Sequence, residues 1–278
     1  MPKWTRRELL KAGLVASATA GAAKAAVPFA ANDAPGRGDS AAPRPPSADP
    51  SLHNSQSSEA ASPLRERLLL DFGWRFHLGN ADDPVKDFGF GKMRIEAAFA
   101  KSGELARVTE LDFDDGDWRS LDLPHDWAVE LPFVDAPSLA VHGSKPLGRE
   151  FPDTSIGWYR RIFDLPAEDA GKRIAVEFDG IFRNAMIVFN GFYMGTNFSG
   201  YAPCRFDLTD FANYGGKNVL TVRVDASLAE GWFYEGAGIY RHVWLTKTAP
   251  VHVAHWGVFV QPEVRGSQAA ISASVEVA

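Results

Sequence analysis

An antiparallel all-β fold, a jelly roll or related β-sandwich, is the class that the 278-residue sequence predicts. Three observations point there. Lys172–Phe178 sets Ile174, Val176 and Phe178 on one face against Arg173, Ala175 and Glu177 on the other, and Leu220, Val222 and Val224 alternate in the same way with Thr221 and Arg223. This is the period of two expected of a half-buried strand. Asn190-Gly191 stands between two apolar runs, and this pair readily takes the left-handed backbone that a tight hairpin turn demands. Short apolar segments then recur from Gly157 onward with almost no helical period, which favours a sandwich over an α/β fold.

Along the chain, residues 1–30 read as an export signal. Thr5-Arg6-Arg7-Glu8-Leu9-Leu10-Lys11 carries the paired arginines of a Tat signal, and a weakly apolar, alanine-rich run extends from Ala12 to Ala23. The run is too short and too interrupted by Gly, Ser and Thr to anchor in a bilayer, so a periplasmic or extracellular location is expected. Residues 31–64 are dominated by Ala, Pro, Ser, Asp and Gly around Pro43-Arg44-Pro45-Pro46. Such a composition cannot bury a core, and it predicts a disordered linker.

Order is expected from Arg65, and residues 65–248 should form the sandwich. Arg67–Phe76 reads as strand, glycine, strand, whereas Asn80–Glu110 is irregular, with a short helix around Ala97–Ala100. Asn184–Phe189 is apolar on both faces and leads into the Asn190-Gly191 turn; Tyr240–Thr246 supplies a further strand. After Thr248-Ala249-Pro250, residues 249–278 offer two more strand-like runs, Val251-His252-Val253 and Val258-Phe259-Val260. They are too few to close a core and read as the first strands of a second sandwich.

A net charge of −6 and a pI near 5.7 leave no basic face of the kind nucleic acid requires. Cys204 is the only cysteine, which excludes an intramolecular disulfide and a cysteine-based metal site, and the histidines lack metal-ligand spacing. No Gly-x-Ser-x-Gly elbow, Walker loop or dinucleotide fingerprint is present. No cofactor is therefore indicated.

Three clusters concentrate polar chemistry. Asp112, Asp114, Asp115 and Asp117 read most simply as a solvated acidic turn, because no Glu stands where a calcium loop of the EF-hand kind would need it. His125 and Asp126 sit between a Pro and a Trp in Leu123-Pro124-His125-Asp126-Trp127. Asp126 there can either cap a turn or, beside an indole, accept hydrogen bonds from a sugar whose C–H face stacks on the ring. In Glu230-Gly231-Trp232-Phe233-Tyr234-Glu235-Gly236-Ala237-Gly238, three consecutive aromatics cannot all point inward on one strand. That segment is either a structural corner or a surface that meets a polar ring.

These segments resemble glycoside hydrolase family 2. The resemblance runs through Phe72-Gly73-Trp74-Arg75-Phe76, Trp118-Arg119, Leu123–Trp127, Gly157-Trp158-Tyr159-Arg160-Arg161, Phe178-Asp179-Gly180, Val188-Phe189-Asn190-Gly191, Gly200-Tyr201 and Glu230–Leu245. It implies a jelly-roll, galactose-binding-like domain, then an immunoglobulin-like domain, then a (β/α)₈ barrel with both catalytic glutamates beyond Ala278 and room for a metal. Under that resemblance the parent protein is a retaining exo-acting glycosidase, nearest the β-galactosidase branch, and residues 1–278 by themselves are inactive. Asp126 takes the role of a sugar contact, with Glu230, Trp232, Tyr234 and Glu235 as further binding residues and His125 and Arg241 as structural neighbours. The implied partners are a β-galactoside-like carbohydrate, the downstream catalytic domain and, for some members, a second copy of the chain. The competing class is a stand-alone, non-catalytic carbohydrate-binding module.

Overall fold

The computed structural model describes residues 65–90, 107–135, 144–228 and 235–278. The expected signal and linker, the short helix near Ala97, and Glu230, Trp232 and Tyr234 lie outside the described residues.

Ten strands form two antiparallel sheets. One has four strands in the order β1 (Arg65–Leu69), β10 (Val243–Thr248), β5 (Arg173–Phe178) and β8 (Cys204–Asp207). The other has six, in the order β3 (Arg119–Leu121), β2 (Trp74–Leu78), β4 (Ile156–Leu165), β9 (Gly216–Asp225), β6 (Ala185–Phe189) and β7 (Phe192–Asn197). Their facing side chains make one core: Ile174, Val176, Phe178 and Leu245 from the smaller sheet, and Phe76, Tyr159, Ile187, Phe189, Leu220 and Val222 from the larger. This is the expected sandwich, with the β6–β7 hairpin turning at Asn190-Gly191, where φ is 49° and 80°.

Two strands differ from their sequence reading. Strand β5 is buried on both faces rather than one, because Thr246, Arg205 and Arg67 close over Glu177 on its outer side. Strand β10 begins at Val243 rather than Tyr240. Its register is set by Asp71, a buried carboxylate that accepts the Val243 amide at 2.8 Å and lies 2.6 Å from His242 Nδ1.

The outer face of the six-stranded sheet is also partly covered. Val108, Trp118, Ile156 and Trp158 form a second, smaller core, with Phe88, Phe90 and Phe113 packed on it. Two charged groups beneath this cover, Arg160 and Asp87, are paired, as burial requires. Arg160 is fully buried and directs Nε to Asp115 at 2.9 Å and Nη1 to the carbonyls of Val108 and Glu110. Asp115, which reads in the sequence as part of a solvated turn, is therefore the counter-ion of a core arginine. Asp87, likewise buried, accepts from Trp158 Nε1 at 2.6 Å and from Arg223 Nε and Nη2 at 3.0 and 2.7 Å.

Residues 251–278 form a separate unit. Within it β11 (Val253–Arg265) and β12 (Gln268–Val277) pair as an antiparallel hairpin with an irregular register between Val253 and Val258.

Candidate functional site

Leu123–Trp127 follows β3 and turns, with a cis peptide before Pro124, into a single helical turn, Trp127–Glu130. Its backbone pairs with a segment more than a hundred residues later: the His125 amide donates to the Ile239 carbonyl at 2.8 Å, and the Trp127 amide to the Ala237 carbonyl at 3.0 Å. Asp126 lies between them. Its Oδ1 caps the helical turn by accepting the Ala128 amide at 2.9 Å and also accepts the Ala237 amide at 2.8 Å. One carboxylate oxygen thus joins the two loops that the sequence singles out.

The approach is close enough to dictate residue type. A Cβ at Gly236 would collide with Asp126 Oδ2, and one at Gly238, where φ is +125°, would collide with the Tyr159 hydroxyl and the His125 carbonyl. At Gly238 only glycine fits, and at Gly236 a side chain would have to displace the Asp126 carboxylate. Trp127 packs into the core against Gly157 and donates from Nε1 to the Thr154 carbonyl at 2.8 Å, which fixes the corner to β4. Its indole is thus a core anchor and not a stacking surface for a ligand.

His125 is buried behind the corner, with Nδ1 2.8 Å from the Tyr159 hydroxyl. Burial raises the Tyr159 hydroxyl well above its ordinary range, so it stays protonated and can either donate to Nδ1 or accept from it according to the tautomer of the ring. The other ring nitrogen, Nε2, faces Glu130 Oε1 at 3.3 Å, and that carboxylate favours the tautomer with the proton on Nε2. Burial holds the His125 imidazolium below its ordinary 6.5, only partly offset by Glu130. Glu130 is held low first by its hydrogen bonds from Arg119, at 2.5 and 2.8 Å.

Of the other residues singled out by sequence, Glu235 is fully buried beside Gly236 and Ala237, whereas Arg241 is exposed with its guanidinium 5.5 Å from the Tyr240 ring. Tyr159 and Glu130 are further parts of this corner that local sequence pattern does not single out. Their signal is present in the Gly-Trp-Tyr-Arg-Arg run and in a Glu one helical turn beyond Asp126, but only the fold shows that both face His125. Among the described residues no group of three or more His, Cys, Asp or Glu could hold a metal ion.

The sequence profile of the glycosyl hydrolases family 2 sugar binding domain matches residues 70–249, a span that contains both sheets and the Asp126 corner. The chain belongs to glycoside hydrolase family 2. Among its relatives, β-galactosidase BoGH2A of Bacteroides ovatus is 40% identical over 206 residues, covering 73% of this chain and 20% of that protein. A β-glucuronidase of Bacteroides fragilis is 32% identical over 166 residues, covering 56% of this chain and 22% of its own length. A solved structure of a glycosyl hydrolase family 2 member from Bacteroides cellulosilyticus superposes with a TM-score of 0.60 at 31% identity, over 76% of this chain and 24% of that one. The family 2 chain thus spans about a fifth of the length of the curated relatives it matches.

The histidine behind the corner makes the domain sensitive to acid. With the folded value of His125 below the unfolded one, the unfolded chain binds more protons near pH 6.5 and below, so stability should be constant above that pH and fall as pH drops towards the folded value. His125→Gln, which keeps an amide to meet Tyr159, should flatten the change in melting temperature between about pH 7.5 and about pH 5.5. Equal slopes for the two proteins would refute this role.

Proposed function

We propose that this chain is the sugar-binding front of a longer, exported, retaining glycosidase that removes terminal β-galactoside units. The Asp126 corner carries the reading: a carboxylate fixed by two backbone amides, on a family 2 sandwich whose relatives include a β-galactosidase 40% identical to it. In this proposal Asp126 accepts hydrogen bonds from sugar hydroxyls, with Glu230, Trp232 and Tyr234 on the neighbouring loop, whereas Glu235, being fully buried, supports that loop from within and does not meet the sugar. The 251–278 hairpin begins an immunoglobulin-like domain, and a barrel beyond it supplies the acid and the nucleophile. Such chemistry needs two carboxylates on either side of the scissile bond, about 5–5.5 Å apart for retention. A β-glucuronidase is the second reading, favoured by the Bacteroides fragilis relative.

The longer protein should turn over chromogenic β-galactosides faster than β-glucuronides, and the 278-residue chain should turn over neither. In that protein Asp126→Ala should lower kcat/KM by about 10- to 150-fold, the loss of a charge-assisted contact of about 1.5–3 kcal/mol. Asp126→Asn keeps an acceptor for the Ala128 and Ala237 amides and should lose most of the same activity with a nearly unchanged melt. Full activity in the Asn variant would restrict Asp126 to holding the loops, and faster glucuronide turnover would favour the second reading.

Export rests on Arg6-Arg7 and the apolar run that follows. Replacing both arginines with lysine should leave the protein in the cytoplasm, and undiminished recovery outside it would rule out the Tat route.

A further inference from the structure

The cover over the six-stranded sheet ends partway across it. Strand register places Thr196 of β7 beside Met186 of β6, Met186 beside Arg223 of β9, and Arg223 beside Trp158 of β4. All four side chains share the outer face. Trp158 lies under the cover; the other three line a cleft of about 400 Å³ between the 80–90 segment and the bare edge of the sheet. We propose that this cleft is a second carbohydrate-binding position that takes a neutral pyranose, lined by Arg223, Asp225, Asn184, Thr196, Met186 and Phe90.

The volume lies within the range of small-molecule sites, which pair an apolar floor with a few fixed polar groups. Here the apolar part is Met186 and Phe90, and the Arg223 guanidinium lies 4.0 Å over the Phe90 ring. Arg223 is immobilised by Asp87, with Nη1 3.5 Å from Asp225 Oδ2. Asp225 is itself held by the Ser227 amide and hydroxyl at 3.0 and 2.6 Å. A guanidinium, a carboxylate and the Asn184 amide are planar groups suited to neighbouring hydroxyls, and their rigidity keeps the entropic cost of binding low.

Charge selects the class of sugar. Three carboxylates, Asp82, Asp87 and Asp225, line the cleft against the one guanidinium among its described residues. A uronic acid would meet net repulsion there, whereas an uncharged hexose would not. The cleft shares no lining residue with the Asp126 corner, and the proposal rests on reading the chain as a carbohydrate-handling domain.

The test is amide chemical-shift mapping on the 278-residue chain with methyl β-D-galactopyranoside, methyl β-D-glucuronide and calcium chloride as separate probes. The galactoside should shift the amides of Asn184, Met186, Thr196 and Asp225 saturably, and the glucuronide should bind at least about tenfold more weakly. Asn184 has φ 46°, so Asn184→Gly keeps its backbone while removing the side-chain amide; affinity should fall about fivefold. Thr196→Trp, which fills the cleft from the edge strand, should abolish the shifts with Asp126 and Ala237 unaffected. Galactoside shifts confined to the Asp126 corner would overturn the cleft and leave the proposed function standing. Shifts from calcium alone, equal binding of the glucuronide, or no saturable shift at the cleft would also overturn it.

Discussion

The structure of the candidate site depends on one joint. Residues 125–127 donate two backbone hydrogen bonds to the carbonyls of 237–239, and both segments share the Asp126 carboxylate, so two loops far apart in sequence become one corner of the sandwich. Closing so long a loop costs conformational entropy. The return comes from burial: Trp127, Tyr159, Ala237 and Ile239 are all core residues of the same sandwich. His125 locks the joint from behind through Tyr159, and Gly236 and Gly238 permit the approach. A side chain at Gly236 would displace the Asp126 carboxylate, and one at Gly238 would strike the His125 carbonyl.

Around this joint the sandwich is stiffened by polar groups that are buried and paired rather than excluded. Strand β4 alternates inward Tyr159 with outward Trp158 and Arg160, and each outward residue meets a carboxylate on the covering segments: Asp87 for Trp158 and Asp115 for Arg160. Asp87 shows the tension of such a pair. Burial raises its carboxyl despite the attraction of Arg223, so the geometry must be good for the charged pair to persist. The cover therefore does more than hide apolar surface; it fixes the direction of Arg223 at the margin of the outer cleft.

Much of the fold is legible in the sequence because period-two patterning and the Asn190-Gly191 turn are local signals. What escapes is long-range. Glu177 looks like a solvent-facing strand residue and is buried because Arg67, Arg205 and Thr246 arrive from strands distant in sequence. Asp115 looks like one of four solvated acids, yet it neutralises an arginine 45 residues away. At the site, the sequence leaves Asp126 open between helix cap and ligand contact. The structure shows the cap, together with the bond to Ala237 that local patterning does not contain. The tryptophan beside Asp126 looks like a stacking platform and is a core anchor, since its ring is sequestered against Gly157 and Phe76.

The joint is tested most directly by amide hydrogen exchange in the 278-residue chain carrying Asp126→Ala. If one carboxylate holds the two loops together, the Ala128 and Ala237 amides should lose protection, while the central-strand amides of Ile187 and Val222 exchange as in the unaltered protein. Unchanged protection at Ala237, or a uniform loss of protection across both sheets, would contradict the account.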